Sequence, residues 1–243
     1  PELGGQFRLA GLQPRRGQIT DLLTWYAHQL EKLGVDVRYN TYMDGDDIEK
    51  FNADDVLLAT GSLPTGTGFQ KAMTHLETLP GIDTGKVFSP EEVLMRQARL
   101  GNRVVVLDEG GNWRGCGTAW KLAEDGHQVT IVTPDPLIAK ELQRSAADFP
   151  LRRTLAKLGV TFVTETAISE WQTDGAKTLN LLSGEEALIE ADSLIMATVN
   201  TVDNSLADDL RARGIDFSLI GDAAAPRQAA FAFYEGRKAA LEI

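Results

Sequence analysis

A glycine-rich segment at residues 108–117, DEGGNWRGCG, has the spacing with the clearest chemical meaning in this chain. It follows an apolar run and precedes a helical pattern, as does the G-x-G-x-x-G turn that binds a dinucleotide pyrophosphate. Counting back from Gly126 places Gly110, Asn112 and Gly115 at the three glycine positions. The glycines of such a turn let backbone N–H groups approach phosphates at a helix N-terminus. The candidate contacts to a nicotinamide cofactor, NAD(P)H, are therefore Gly110, Gly111 and Gly115.

Several residues of this turn are unfavourable for a dinucleotide. Asn112 replaces the middle glycine, and its Cβ would crowd a pyrophosphate. Asp108 and Glu109 stand between the strand and the turn, where carboxylates would repel one. Trp113 and Arg114 are unusual in a phosphate-binding turn, and could either fill the dinucleotide pocket or contact another domain. The pattern favours a turn that packs without cofactor over a working nicotinamide site.

Two aspartates follow apolar strands, where an acid can bind ribose hydroxyls. Asp135 follows the strand pattern at 128–132, but its flanking prolines favour a solvated turn residue. The segment LIGDAAAPR, residues 219–227, ends another strand at Gly221 and Asp222. Asp222 is expected to accept hydrogen bonds from sugar hydroxyls while the following helix faces a phosphate. The alternative for Asp222 is an ordinary helix cap.

The remaining reactive side chains form no recognisable catalytic or metal set. The three histidines are scattered, and neither a Ser–His–Asp set nor a carboxylate pair stands out. Cys116 is the only cysteine and lies near a predicted helix start, where a thiolate would be favoured. It lacks a CxxC partner, so a packed structural role is the better prediction. We predict neither catalytic residues nor metal ligands in this chain.

The elements that must position these residues follow one order twice. LEKLGVDVRYN at 30–40 resembles LAKLGVTFVTE at 155–165, and apolar strands follow as DDVLLATG at 54–61 and DSLIMATV at 192–199. Each copy predicts a helix, a glycine turn, a strand and later a buried strand. The repeat indicates two related α/β units, in tandem or nested.

Hydrophobic periodicity supplies the remaining elements. Residues 1–13 are predicted to be a loop. Helices are predicted at 17–33, from a capping box at Ser89, at 116–125, within 137–158, at 205–213 and at 226–241. Strands are predicted at 35–39, 56–59, 103–107, 128–132, 161–163, 193–197 and 219–221. Short alternating segments within 168–190 predict a small antiparallel meander.

The composition limits the classes of protein to which this chain can belong. The 243 residues carry a net charge of −11, which argues against nucleic acid and anionic membrane as partners. One cysteine allows no internal disulfide and no four-cysteine metal site, which suits a cytoplasmic setting. No apolar run is long enough to span a membrane. The first residues, PELGGQ, resemble the interior of a protein, so we expect a chain truncated at its N-terminus.

The chain resembles the C-terminal FAD- and NAD(P)-binding-type domains of NADH:flavin oxidoreductases related to Old Yellow Enzyme. This family includes 2,4-dienoyl-CoA reductase, trimethylamine dehydrogenase and histamine dehydrogenase. The resemblance runs over nearly the whole chain. It is carried by LGGQFRLAGLQPRRGQI at 3–19, LGVDVRYNT at 33–41, DDVLLATGSLP at 54–64, LAEDGHQVTIVTP at 122–134 and LIGDAAAPRQAAFAFYEGRKAALEI at 219–243.

The resemblance implies two Rossmann-like units, with the second inserted in the first. The FAD- or ADP-binding-like domain would comprise residues 1–86 and 201–243, and the NAD(P)-binding-like domain residues 87–200. Asp222 would face the ribityl or ribose region of the nucleotide. The other implied contacts are Gly4, Gly5 and Gln6 at the adenine nucleotide, and Ala59, Thr60 and Gly61 along the pyrophosphate.

Departures from the family pattern shape the expected function. The family's first G-x-G-x-x-G turn and its N-terminal barrel, which carries FMN and an iron–sulfur cluster, are missing from this sequence. The resemblance therefore places the catalytic centre outside this chain, and we expect FAD or ADP to bind weakly or not at all here. The turn at 108–117 and Val199 in place of glycine resemble the amine dehydrogenase branch.

Three functions follow from this resemblance. The favoured one is the nucleotide-binding portion of an amine dehydrogenase or N-demethylase. The alternatives are the electron-input domains of an NAD(P)H-dependent enoyl or enone reductase, and a non-catalytic structural module. The implied partners are the protein's own N-terminal barrel, an electron-transfer protein and a second copy in a homo-oligomer.

Overall fold

The computed structural model describes residues 2–243, which form a mixed α/β protein. The helices are α1 Gly5–Ala10, α2 Ile19–Lys32, α3 Gly45–Phe51, α4 Pro90–Leu94, α5 Trp113–Glu124, α6 Asp148–Lys157, α7 Ser205–Arg213 and α8 Ala229–Glu242. The strands are β1 Leu57–Leu58, β2 Ser62–Pro64, β3 Val87–Phe88, β4 Arg103–Asp108, β5 Gln128–Val132, β6 Thr161–Val163, β7 Thr166–Gln172, β8 Gly175–Asn180, β9 Glu186–Glu190, β10 Ser193–Ala197, β11 Asn200–Val202 and β12 Ser218–Leu219.

The residues group into two compact units. Of the described residues, unit 1 comprises 2–5, 23–64 and 200–243, and unit 2 comprises 6–22 and 65–199. Both units are discontinuous along the chain. The domain boundaries implied by the family resemblance, at 86/87 and 200/201, stay a prediction.

Unit 2 contains a five-stranded parallel sheet in the order β3–β10–β4–β5–β6. Its central strands are continuous apolar runs because both faces of the sheet are covered. One core cluster includes Val106, Ile131 and Ile195 and packs against α5 and α6. A second cluster includes Leu107 and Leu194. This sheet places the end of β4 and the glycine turn that follows it at the carboxyl edge, where ligands bind in such folds.

The predicted meander is present as a separate sheet. Strands β7, β8 and β9 pair antiparallel in chain order. Trp171, of which 2% is exposed, packs in the second core cluster and its Nε1–H donates to the Gly85 carbonyl at 3.0 Å. The predicted α/β class with a small antiparallel sheet is therefore confirmed.

Unit 1 has two small sheets and a smaller core. β1 and β12 form a two-stranded parallel sheet, and β2 and β11 form a two-stranded antiparallel one. The buried cluster consists of Leu58, Ala207 and Leu210, with partly buried side chains around it. Parallel pairing brings the ends of β1 and β12 to the same edge, which positions Gly61 and Asp222.

Some predicted elements differ in the structure. Residues 5–10 form helix α1 where a loop was predicted. Residues 35–39 form no strand, and Val35 and Tyr39 are exposed. A strand needs a hydrogen-bonded neighbour, and no strand among residues 2–243 pairs with this segment. The strand predicted at 219–221 ends at Leu219, and Gly221 begins a 3₁₀ turn.

The predicted capping box at the start of α4 is present. The Ser89 hydroxyl accepts the Glu92 backbone N–H at 3.2 Å, and the Glu92 carboxylate accepts the Ser89 N–H at 2.7 Å. Among residues 2–243, no helix combines the length and the apolar character needed to cross a membrane.

Candidate functional site

The carboxylate of Asp108 lies inside the glycine turn of unit 2. Asp108 is the last residue of β4, and only 1% of it is exposed. Its Oδ1 accepts backbone N–H bonds from Gly110 and Gly111 at 3.1 and 3.0 Å. The Cys116 thiol donates to its Oδ2 at 3.1 Å. A Cβ on Gly115 would lie 2.5 Å from Oδ1, so glycine at this position lets α5 approach the carboxylate.

Asn112 is the N-cap of α5. Its backbone is extended, and its Oδ1 accepts the Arg114 backbone N–H at 2.8 Å. The helix therefore begins at Trp113 rather than at the predicted residue 116, because asparagine satisfies a free N–H at the helix start. This N–H is among those that a phosphate would contact in a dinucleotide site.

Trp113 and Arg114 pack within unit 2. The Arg114 guanidinium binds both oxygens of Glu91 at 2.7 and 3.0 Å and donates to the Thr198 carbonyl at 2.6 Å. The Trp113 carbonyl accepts the Gln13 side-chain N–H at 2.7 Å. Arg16 lies over the Trp113 ring, with its guanidinium carbon 4.3 Å from the ring centroid. Both residues therefore have structural partners in unit 2.

Asp135 lies beside the glycine turn. A Cβ on Gly111 would be 3.5 Å from its Oδ2, and Lys140 binds its Oδ1 at 2.7 Å. Asp135 lies in a bend, as predicted, and is half-buried, with 21% of its side chain exposed. The structure thus brings together Gly110, Gly111, Gly115, Asp108 and Asp135, which are the turn residues and the candidate ribose acid.

Burial controls the protonation of this cluster. Burial raises the pKa of Asp108 to about 6, although the bonds from Cys116 and the two glycine N–H groups oppose the shift. Burial also raises the pKa of the Cys116 thiol well above its usual value, and the neighbouring Asp108 adds to the effect. Cys116 is a buried free cysteine, which agrees with a packed structural role and not with a thiolate.

The raised pKa of Asp108 gives a testable pH dependence. Its native pKa of about 6 exceeds its unfolded value, so the folded state holds the proton more tightly. Its stabilising contribution is full below about pH 4 and is lost as the pH rises through about 6, by roughly 3 kcal/mol in total. Asp108→Asn does not titrate there. The stability of the native chain relative to this variant should fall over that range in urea unfolding, and a constant difference would contradict the assignment.

The second candidate group lies in unit 1 at the ends of β1 and β12. Leu58 pairs with Leu219, so the segments 59–61 and 220–222 leave the sheet side by side. Asp222 accepts the Ser62 hydroxyl at 3.0 Å and the Arg227 backbone N–H at 3.0 Å. It lies in a 3₁₀ turn seven residues before α8, so it caps no α-helix. The alternative of an ordinary helix cap at Asp222 is therefore wrong.

Gly221 is fixed by the helix that follows it. Its φ is +62°, and its N–H donates to Glu235 of α8 at 2.8 Å. Arg227 binds the same carboxylate at 2.6 Å. The hydrogen bond from the Gly221 N–H lowers the pKa of Glu235, and the hydrogen bond from Arg227 lowers it further. Asp222 therefore lies between Gly221 and Arg227, which both bind the Glu235 carboxylate.

The candidate glycines at positions 4, 5 and 61 differ in the space around them. Gly61 has a φ of +81° and open space where a Cβ would lie. Gly4 has a φ of +110°, and a Cβ there would lie 2.5 Å from the Leu23 side chain. Gly5 and Gln6 begin helix α1, and Gly5 faces open space. The structure joins segment 59–61 to Asp222 through Ser62.

Several side chains at these sites were not predicted from the sequence. Gln13 and Arg16 cover the start of α5, and a Cβ on Gly117 would lie 2.7 Å from the Gln13 amide. In unit 1, Asn200 donates to the Ser62 hydroxyl at 3.1 Å and extends the network of Asp222. No local pattern identifies such residues, because 100 and 138 positions separate the partners.

Known proteins of similar sequence are redox enzymes. The cinnamate reductase of Clostridium sporogenes is 31% identical over 242 residues, which is 99% of this chain and 34% of that enzyme. The dimethylamine dehydrogenase of Hyphomicrobium sp. is 28% identical, over 83% of this chain and 31% of that enzyme. The chain spans about a third of the length of these curated relatives.

A solved structure shows the same fold. The 6-hydroxypseudooxynicotine amine oxidase of Pseudomonas geniculata matches with a TM-score of 0.91 and 28% identity, over 97% of this chain and 36% of that chain. The relatives confirm the resemblance to the C-terminal domains of flavin-dependent reductases and amine dehydrogenases. The family model described as pyridine nucleotide-disulphide oxidoreductase matches residues 14–217. This chain belongs to the pyridine nucleotide-disulphide oxidoreductase family.

Proposed function

We propose that this chain is the nucleotide-binding portion of a flavin-dependent oxidoreductase of the amine dehydrogenase or N-demethylase kind. Unit 1 binds the adenine nucleotide of ADP or FAD, and unit 2 serves as a scaffold without a nicotinamide. The reaction takes place at FMN in an N-terminal barrel with an iron–sulfur cluster. The observation that carries this proposal is the contrast between the two sites, because the turn of unit 2 is filled by its own side chains.

Unit 1 fits part of an adenine nucleotide. Gly61 leaves open space at the carboxyl edge of the sheet, and Asp222 lies on the adjacent strand end. Each oxygen of Asp222 accepts one protein hydrogen bond, so a further lone pair remains on each for a sugar hydroxyl. The glycine-rich phosphate turn of such a unit is not found in residues 2–64. We therefore expect weak binding, through the ribose region.

Unit 2 does not fit a dinucleotide pyrophosphate as it stands. The N–H groups of Gly110 and Gly111 are bonded to Asp108, and that of Arg114 is bonded to Asn112. Three donors that could face a phosphate are already satisfied. No step of the proposed reaction therefore involves a nicotinamide cofactor in unit 2.

The second candidate function is an NAD(P)H-dependent enoyl or enone reductase. It is favoured by the cinnamate reductase relative, which aligns with 99% of this chain. In that case NAD(P)H would bind unit 2 and pass electrons towards the barrel flavin. The satisfied donors of the glycine turn argue against it. A purely structural module is the third candidate, and it predicts no nucleotide binding at all.

Calorimetric titration with ADP, FAD, NADH and NADPH separates these functions. The proposal expects ADP or FAD to bind and neither nicotinamide cofactor to do so. Binding of NADH or NADPH alone would move the function to the reductase. Binding of none of the four would leave the structural module.

Asp222→Asn tests the site in unit 1. The substitution keeps the shape of the side chain and removes the charge that strengthens its bond to a ribose hydroxyl. ADP affinity is expected to fall about tenfold, as for the loss of a charged hydrogen bond. Asp216→Asn is the matched control, because Asp216 is an exposed acid in the same unit. Equal ADP affinity in both variants would exclude Asp222 from the site.

The proposed partners follow from the same assignment. The protein's own barrel domain, an electron-transfer protein and a second copy are expected to contact this portion. A cytoplasmic location and the absence of nucleic-acid and membrane partners stay predictions from composition.

A further inference from the structure

We propose that Asp108 excludes dinucleotides from unit 2 by placing its own carboxylate on the N–H groups of the glycine turn. This inference deepens the proposed function, on which it rests, by naming the residue that sets the cofactor specificity of unit 2. The carboxylate acts as an internal anion in a turn whose fold is otherwise that of a nucleotide-binding unit.

Asp108 ends the central strand β4, and the turn bends back so that two consecutive N–H groups point at one carboxylate oxygen. Gly111 has a φ of +55°, a left-handed conformation that favours glycine and aims its N–H at Asp108. Successive backbone N–H groups in such a turn form an anion-binding concavity. Here the anion belongs to the protein.

The other carboxylate oxygen of Asp108 is also hydrogen-bonded, and helix α5 packs against the carboxylate. The Cys116 thiol donates to Oδ2 at 3.1 Å, and Gly115 places the helix backbone against the carboxylate. With 1% of Asp108 exposed, a pyrophosphate could reach these N–H groups only if the carboxylate moved away. A phosphate group and the carboxylate therefore compete for the same donors.

Three carboxylates lie in or beside the turn, those of Asp108, Glu109 and Asp135. Lys140 pairs with Asp135, and the Ala72 backbone N–H binds Glu109 at 3.3 Å. Asp108 itself receives only neutral donors. A pyrophosphate at the turn would therefore meet the Asp108 charge in a low-dielectric setting, where repulsion is strong.

Two substitutions at position 108 test this inference in the full chain. Asp108→Ala removes the competing acceptor, and Asp108→Asn keeps the side-chain shape while removing the charge. Hydrogen bonds to a charged group are roughly twice as strong as neutral ones, so the asparagine should compete less well for the turn. The matched controls are Asp174→Ala and Asp174→Asn, because Asp174 is an exposed acid in the turn between β7 and β8.

The readout is the affinity for NAD⁺, measured by calorimetry on variants whose circular dichroism matches that of the native chain. Asp108→Ala is expected to bind NAD⁺ about tenfold more tightly than its control, and Asp108→Asn about threefold more tightly. Inorganic pyrophosphate should compete with the NAD⁺ gained. Should the alanine variant fail to fold, the isosteric asparagine variant decides alone.

Two results would overturn the inference. One is a folded Asp108 variant that binds NAD⁺ no better than its Asp174 control. The other is a gain in NAD⁺ affinity that pyrophosphate does not reduce, since the ligand would then lie elsewhere. ADP affinity in unit 1 is measured in parallel. If the native chain does not bind ADP, the proposed function is contradicted, whereas the result for Asp108 in unit 2 still stands.

Discussion

Ile195→Ala is expected to lower the free energy of unfolding by about 2–5 kcal/mol, the range for removing a buried aliphatic side chain. Ile195 lies in β10 between β3 and β4, opposite Phe88 and Val106, and 0% of it is exposed. The neighbours are held in sheet and helix, so the cavity cannot collapse fully. Urea unfolding followed by circular dichroism measures the change.

Leu182→Ala is the control for this effect. Leu182 lies between β8 and β9 and is 75% exposed, so its removal should change the stability by less than about 0.5 kcal/mol. If both variants lost similar stability, Ile195 would not lie in the rigid core of unit 2. A loss confined to Ile195→Ala would support the five-stranded sheet as the frame that positions the glycine turn.

Gly115→Ala is expected to destabilise the chain by about 1–3 kcal/mol, the usual range for overpacking. The added Cβ would lie 2.5 Å from the carboxylate of Asp108, which is itself held by two backbone N–H bonds. Either α5 moves away from β4 or the carboxylate leaves the turn. Thermal unfolding followed by circular dichroism gives the sign and size of the effect.

Gly236→Ala provides the opposite expectation in another helix. Gly236 lies in α8, and nothing lies within 4 Å of a Cβ placed there. Alanine should stabilise this helix by about 0.5–1 kcal/mol, because glycine loses more backbone entropy on folding. Stabilisation by both substitutions would mean that α5 and Asp108 are not in close contact.

Two similar sequence segments, one in each unit, pack differently. LAKLGV ends helix α6, whose Leu151 and Leu155 are buried against the large sheet. LEKLGV spans the end of α2, a helix without a buried residue. Both phrases encode a helix and a glycine stop, since these depend on local spacing. Burial depends on the sheet available in each unit, which no local pattern specifies.

The candidate site in unit 2 was also predictable only in part. The glycine spacing identified Gly110, Gly111 and Gly115, and the unfavourable charge of Asp108 was evident from its position before the turn. Its role as the bonded anion was not evident. That role depends on the left-handed Gly111 and on a helix start set by Asn112, which together decide where each N–H points.

The elements that depend on neighbouring residues were predictable from the amino-acid sequence. The strands at 128–132, 161–163 and 193–197 and the helix at 205–213 begin and end where apolar periodicity and glycine stops predict. The order of these elements also indicated two α/β units. The bounds of these elements are local properties, because propensity and patterning act over a few residues.

Tertiary packing, in contrast, sets which segments pair in a sheet and which backbone N–H groups are already hydrogen-bonded. The segment 35–39 has the pattern of a strand but pairs with no strand among residues 2–243. Trp113 is hydrogen-bonded to Gln13, which is 100 positions away in the chain. Asp222 is hydrogen-bonded to Ser62, which is 160 positions away. Such contacts depend on how distant segments pack, so spacing along the chain does not reveal them. For the same reason, the structure alone showed that the glycine turn is already bonded to Asp108.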